Sequence, residues 1–183
     1  MGQFKKTIGV LGGMGPETTV DFFSRLIKIC EGKYGCRHDE DFPRIVVLTL
    51  PIPPVVERIE SNGVLLQMLT EGIGKLISAG ADFISIPCNT VHFYFDEMQR
   101  FSSVPILNII EETVKRAKKE GCKKIGILAT RTTIEKNLFG KYSNKYGIKM
   151  INPTEEEIDE ISEIIYDIER GKLLKADLDK LKK

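Results

Sequence analysis

Residues 80–90, GADFISIPCNT, decide the fold that the sequence predicts. The apolar run Phe83–Ile86 has the length of a buried strand, and a glycine and a proline bound it. Cys88 follows immediately, and Thr90–Phe101 has the spacing of an amphipathic helix. In a parallel α/β sheet, ligands bind beyond the carboxyl ends of the strands. The thiol is therefore expected to face a ligand rather than the core.

Further apolar runs, separated by amphipathic stretches of helical length, extend this pattern in both directions. Regular alternation of strand and helix predicts an α/β fold whose parallel sheets are covered on both faces. The predicted strands are Thr7–Leu11, Arg44–Leu50, Phe83–Ile86, Pro105–Asn108, Lys124–Ala129 and Ile148–Ile151, and the predicted helices are Pro16–Glu31, Gly63–Ala79, Thr90–Phe101, Glu111–Glu120, Ile134–Tyr146 and Glu155–Arg170.

A weak internal repeat suggests two related halves. KTIGVLGGMGPETT at 6–19 is similar to KKIGILATRTTIEK at 123–136. The repeat predicts two pseudo-symmetric βα domains, with residues 1–110 in the first and 111–183 in the second. Aligning the two segments places the counterpart of Cys88 beyond Lys183, so the second domain is expected to be incomplete.

Composition and charge narrow the class of protein. The 183 residues are 42% apolar and carry a formal charge of +1, so a proper core is expected and nothing in the charge balance calls for nucleic acid or an anionic membrane. No stretch approaches the ~20 apolar residues of a membrane helix, and the N-terminus lacks the pattern of a signal peptide. We expect a soluble, cytoplasmic protein.

The glycine-rich loop 11–19, LGGMGPETT, follows the first predicted strand. A dinucleotide-binding GxGxxG pattern starting at Gly13 would need glycine at position 18, where Thr18 stands, and no Walker sequence follows. Backbone N–H groups at the start of the next helix, with Pro16 in its first turn, suit a small anion such as a carboxylate. A tight turn without a ligand is the alternative interpretation.

The four cysteines, at 30, 36, 88 and 122, contain no CxxC pair. Cys30, Cys36 and His38 have irregular spacing and no fourth partner, so no metal site is predicted. A helix N-terminus would lower the pKa of the Cys88 thiol, which could then act as a general base, a nucleophile or a ligand. His92, one turn further on, could act as an acid or base, or merely bond to a neighbouring loop.

Four segments, in order, resemble one family: IGVLGGMGPETT, GADFISIPCNTVH, VPILNIIEET and IGILATRTT. They are similar to the aspartate/glutamate racemases that work without pyridoxal phosphate, and most of all to the aspartate racemases. The resemblance implies two pseudo-symmetric α/β domains with the active site between them. It also implies no cofactor, an acidic amino acid as substrate and a possible homodimer.

The resemblance further implies roles for single residues. One cysteine of each domain faces one side of the substrate Cα, and Cys88 would be the first of this pair. Asn89 and Thr90 would hold a carboxylate, His92 and Arg170 would support the site, and the further donors would be Met14, Gly15, Thr130, Thr132 and Thr133.

Three departures from the family pattern accompany the resemblance. The second cysteine belongs to a GCTE motif that is absent here, the arginine of RIPDR has no counterpart before Arg58, and DIERG stands where DIKxG is common. The sequence thus predicts an aspartate racemase-like enzyme whose chain is shortened at its C-terminus; if the chain is complete as given, inversion by the two-thiol route should be absent. A single-thiol lyase similar to arylmalonate decarboxylase and a non-catalytic dicarboxylate-binding protein are the alternatives.

Overall fold

A computed structural model of the chain describes residues 3–52, 63–169 and 171–172. Arg58 and Arg170, the two arginines considered in the sequence analysis, lie outside the described residues. Within these ranges the chain divides into two compact units. The first unit comprises 3–52, 63–88 and 94–109, and the second comprises 89–93, 110–169 and 171–172. The domain boundary predicted near residue 110 stays a prediction.

Strands and helices alternate along the described chain, and the predicted α/β class is confirmed. The strands are β1 (Ile8–Gly12), β2 (Ile45–Thr49), β3 (Phe83–Ser85), β4 (Ile106–Leu107), β5 (Lys124–Gly126) and β6 (Lys149–Ile151), and the helices are α1 (Pro16–Tyr34), α2 (Gly63–Ser78), α3 (Phe95–Phe101), α4 (Ile109–Lys119), α5 (Arg131–Glu135), α6 (Gly140–Tyr146) and α7 (Glu155–Glu169).

The first unit contains a four-stranded parallel sheet with the strand order β2-β1-β3-β4. Val10 and Leu11 of β1 are both 0% exposed. Since successive side chains of a strand point to opposite faces, both faces of β1 are covered. Because β1 and β3 are parallel neighbours, with Val10 opposite Ser85, their carboxyl ends lie at the same edge of the sheet.

The second unit contains a parallel pair, β5 and β6, with Ile125 opposite Met150. Helix α7 supplies much of its apolar core. Ile158, Ile161 and Ile164 are buried and recur every three residues, which places them on one face of the helix. Acidic residues precede, separate and follow these isoleucines in sequence, so the helix is amphipathic as its pattern predicts.

Two predicted helices differ from those observed. Thr90–Phe101 begins with a 3-10 helix at Thr90–Tyr94 and becomes α-helical only at Phe95. The predicted helix Ile134–Tyr146 is two helices, α5 and α6, because Asn137 has a φ of 48°. That left-handed conformation interrupts a right-handed helix, and asparagine tolerates it better than most residues.

No helix in the described ranges is long and apolar enough to cross a membrane.

Candidate active site

Three threonine hydroxyls of the second unit form a hydrogen-bonded triangle, which we call the hydroxyl cluster. Oγ1 of Thr90 lies 3.1 Å from that of Thr130 and 3.4 Å from that of Thr133. The Thr130 and Thr133 hydroxyls are 3.0 Å apart. The cluster thus joins Thr90 to two residues that lie 40 and 43 positions further along the sequence.

The cluster is built on the first turn of α5. Thr130 is the N-cap of this helix, and its hydroxyl accepts a hydrogen bond from the N–H of Thr133 at 3.3 Å. Threonine is a favoured N-cap residue because its side chain satisfies an N–H group that has no partner within the helix. Capping therefore fixes two of the three hydroxyls, and Thr90 supplies the third from the 3-10 helix.

The hydroxyl cluster is largely shielded from solvent, and its members carry no charge. Thr90 is 4% exposed and Thr133 is 1% exposed, whereas Thr130 is half-buried. Each hydroxyl has one rotatable donor, so the three O–H groups can turn from one another toward an anion. Hydrogen bonds to a carboxylate are stronger than those between neutral groups. The arrangement suits a small carboxylate.

Thr132 is separated from the cluster. Its side chain is also buried, with 4% of it exposed. Within the described part of the chain its hydroxyl makes no hydrogen bond to Thr90, Thr130 or Thr133, and its backbone carbonyl accepts from the N–H of Lys136. The structure therefore brings together three of the four threonines that the sequence singled out.

Cys88 lies three residues beyond the end of β3, at the carboxyl edge of the first unit's sheet. The residue is half-buried, and its N–H donates to the carbonyl of Ile86 at 2.8 Å. Consecutive Cα atoms are about 3.8 Å apart, so the Cα of Cys88 lies within about 7.6 Å of the Cα of Thr90. Chain connectivity thus limits the distance between the Cα atoms of Cys88 and Thr90.

Asn89 and His92 flank these residues. The side chain of Asn89 is exposed, and its carbonyl accepts from the N–H of His92 at 3.0 Å. His92 is 5% exposed. This burial is compatible with a supporting role for His92, and that role stays a prediction.

The loop between β1 and α1 is fixed by Thr19. Its hydroxyl accepts from the N–H of Gly13 at 2.9 Å and donates to the carbonyl of Gly15 at 3.1 Å. Gly13 has a φ of 94°, and a Cβ there would lie 2.5 Å from the carbonyl oxygen of Leu50. Among the described residues, the N–H groups of Met14 and Gly15 donate to no backbone carbonyl.

Thr19 and Arg131 make contacts near the candidate site that the sequence did not predict. Thr19 orders the glycine loop, and Arg131 bonds to carboxylates of α5 and α7. A threonine in the first turn after a glycine loop was a usable signal for the first. The partners of Arg131 lie up to 28 positions away, so no local pattern indicated the second.

The remaining cysteines are placed away from these groups in the sequence and differ in burial. Cys30 and Cys36 are buried in the first unit, as expected of Cys30, and Cys122 is half-buried. Burial, followed by the neighbouring Cys36, raises the pKa of the Cys30 thiol. A neutral thiol in an apolar environment behaves as a small core residue.

A cavity of about 470 Å³ lies within the second unit, between the ends of β5 and β6 and helix α7. Apolar side chains such as Ile127 and Ile161 line it, together with Glu157 and Glu160. None of the predicted site residues that the structure describes lines this cavity. Its size alone gives it no role in the chemistry considered below.

Solved structures that are similar to this chain include a racemase and a racemase homologue. The aspartate racemase of Picrophilus torridus matches with a TM-score of 0.80 and 26% identity, over 97% of this chain and 73% of that one. An aspartate racemase homologue from Pyrococcus horikoshii OT3 matches with a TM-score of 0.73 and 27% identity, over 88% of this chain and 70% of that one.

A curated relative and a family profile agree with these structures. The broad specificity amino-acid racemase RacX of Bacillus subtilis (strain 168) is 36% identical over 145 residues, which are 79% of this chain and 63% of that protein. Residues 11–182 match the family described as Asp/Glu/Hydantoin racemase. The chain belongs to this family, which confirms the resemblance seen in its motifs. It spans less than two thirds of the length of the RacX relative.

Proposed function

We propose that this protein is an amino-acid racemase-type enzyme that removes the Cα proton of its substrate with the Cys88 thiolate. The observation that carries the proposal is the sequence of groups at the end of β3. A half-buried cysteine lies at the carboxyl edge of a parallel sheet. Two residues later, the hydroxyl of Thr90 forms hydrogen bonds with two further threonine hydroxyls.

The chemistry requires both features. An amino-acid Cα–H is a very weak acid, so its carboxylate must be held by donors that stabilise the negative charge developing at Cα. The hydroxyls of Thr90, Thr130 and Thr133 provide such donors. The thiolate then takes the proton and returns it, or a proton exchanged with solvent, to the same face. Inversion requires a second proton donor on the opposite face.

Acidic amino acids are the proposed substrate class, with aspartate first. The structural neighbour from Picrophilus torridus is an aspartate racemase, and the one from Pyrococcus horikoshii is an aspartate racemase homologue. An acidic substrate has two carboxylates, and the N–H groups of Met14 and Gly15 and the amide of Asn89 are the proposed donors to the second. Because RacX is described as broad in specificity, neutral amino acids belong in the same test. No cofactor enters the proposed chemistry, and a cytoplasmic location and a homodimer stay predictions.

Exchange of the Cα proton in D2O, followed by proton NMR, tests the proposal. We expect L- or D-aspartate to lose its Cα–H signal with the unchanged protein. Cys88→Ser should slow this loss by at least about 100-fold, because general-base catalysis contributes that much. Cys122→Ser, also at a half-buried cysteine, is the matched control and should leave the rate unchanged.

Each other outcome has a distinct meaning. Full exchange by Cys88→Ser would overturn the role of the thiol. Faster exchange of neutral than of acidic amino acids would overturn the substrate preference and keep the reaction. Tight aspartate binding in calorimetry without any proton exchange would replace the proposed enzyme by a dicarboxylate-binding protein.

A further inference from the structure

Arg131, the first residue of α5, bonds to three carboxylates of the second unit. Its Nη2 donates to Asp159 at 2.6 Å, and its Nη1 donates to Glu155 at 2.8 Å and to Glu135 at 3.3 Å. Glu155 and Asp159 are four residues apart and therefore share one face of α7. One planar guanidinium thus links the start of α5 to two successive turns of another helix.

The helix that Arg131 secures is too short to be stable alone. Helix α5 has five residues, whereas isolated helices below about 12 residues are marginal in water. Its position must therefore come from tertiary contacts. Arg131 follows Thr130 directly and precedes Thr133 by two residues, so a movement of α5 would displace two of the three hydroxyls of the cluster.

The geometry makes this contact stronger than an ordinary surface ion pair. The side chain of Arg131 is 30% exposed, less than those of its partners. The hydrogen bonds that the guanidinium donates to Glu155, Asp159 and Glu135 raise its pKa above its already high value. Single exposed ion pairs contribute little, but a network held by a rigid fork fixes direction as well as distance.

We propose that Arg131 is a positioning residue for substrate binding: by fixing α5 against α7, it holds the Thr130 and Thr133 hydroxyls where they receive the substrate carboxylate. The inference rests on the proposed function, since it assigns these hydroxyls to a substrate. Arg131 itself bonds to protein carboxylates and acts only through the hydroxyl cluster.

Steady-state kinetics of Cα-proton exchange separates this role from a general loss of structure. We expect Arg131→Met to raise KM about tenfold and to change kcat by less than about twofold, because binding donors are displaced while the thiol is not. Arg131→Lys should rescue only part of the loss, since an ammonium group cannot reproduce the fork. Arg116→Met, which removes a single surface ion pair to Glu120 at 2.6 Å, is the matched control.

Amide hydrogen exchange provides a readout that does not depend on activity. The N–H groups of Thr133 and Ile134 donate to the side chain and the carbonyl of Thr130. In Arg131→Met they should exchange at least about fivefold faster, with no change in α4, because local opening of α5 becomes easier. Arg116→Met should leave them unchanged.

The two readouts distinguish failure of this inference from failure of the proposed function. A protein that exchanges no Cα proton, but whose α5 amides lose protection in Arg131→Met, would overturn the proposed function alone. Unchanged amide protection in Arg131→Met, or a fall in kcat with KM constant, would overturn the positioning role.

Discussion

At the scale of single residues, the neighbours Thr132 and Thr133 show how one position decides a role. Both side chains are almost fully buried. Only Thr133 places its hydroxyl within hydrogen-bonding distance of Thr90 and Thr130. Successive residues of a helix point about 100° apart, so adjacent side chains meet different neighbours. The cluster is therefore selected by direction rather than by residue type.

Thr133→Val tests the hydroxyl cluster directly. Valine keeps the shape of threonine, and the N-cap side chain of Thr130 stays in place, so the fold should be retained. Loss of one hydrogen bond to a carboxylate should raise KM for aspartate about tenfold, which corresponds to about 1.4 kcal/mol. The measurement is the initial rate of Cα-proton exchange over a range of substrate concentrations.

Thr132→Val is the matched control for this variant, since it removes an equally buried hydroxyl outside the cluster. We expect its KM to stay within about twofold of the unchanged protein. An equal rise in KM for both variants would show that the triangle seen in the structure does not define the binding donors.

At the scale of elements, helices α4 and α6 of the second unit are joined through Glu111. Its carboxylate accepts from Nζ of Lys145 and from the hydroxyl of Tyr146, both at 2.8 Å. Hydrogen bonds from Lys145 and then Tyr146 lower the pKa of Glu111, and the charge of Lys115 adds to the effect. The side chain of Glu111 is only 21% exposed, so solvent screens these bonds incompletely.

This lowered pKa makes a signed prediction of stability against pH. A carboxyl group whose pKa is lower in the folded than in the unfolded state stabilises the fold above its unfolded pKa, near 4.5, and loses this contribution as pH falls through the folded value. Glu111→Gln should therefore reduce the free energy of unfolding by about 1 kcal/mol at pH 7. Urea unfolding at several pH values should show the difference shrinking below about pH 4.5.

Glu112→Gln serves as the control for this effect. Glu112 is 57% exposed and, among the described residues, pairs with Lys115, so its removal should cost less than about 0.5 kcal/mol at any pH. A pH-independent loss in Glu111→Gln would mean that the charge of Glu111 does not contribute.

The sequence predicted most elements but not the breaks within them. Each observed strand begins within one residue of its predicted first residue, because apolar runs bounded by turn residues are local signals. The division between α5 and α6 was missed, because Asn137 is compatible with a helix in sequence and only its φ of 48° reveals the turn. The predicted helix began at Ile134, whereas the observed α5 begins at Arg131. Arg131 was therefore not predicted to be helical.

At the scale of the whole molecule, each unit has a core of its own. Ile84 of β3 is 0% exposed in the first unit, and Ile158 of α7 is 3% exposed in the second. At one of the points where the chain passes between the units, Cys88 ends a segment of the first unit and Asn89 begins a segment of the second.

Paired core substitutions should separate the stabilities of the two units. Removing three carbons from a fully buried isoleucine costs about 3 kcal/mol. We expect Ile84→Ala to speed amide exchange more in β1 and β3 than in β5 and β6. Ile158→Ala should do the reverse, as measured by hydrogen exchange with mass spectrometry. Equal acceleration everywhere in both variants would show that the two units unfold as one.

The sequence by itself determined the α/β class, the family and the position of Cys88 at the end of a strand. These features depend on local patterns, namely the period of apolar residues and the residues at each strand end. The tertiary structure decided which threonines meet, how Thr19 holds the glycine loop, and which carboxylates Arg131 contacts. Those contacts join positions up to 43 residues apart, and only folding of the chain brings such positions within the reach of a hydrogen bond.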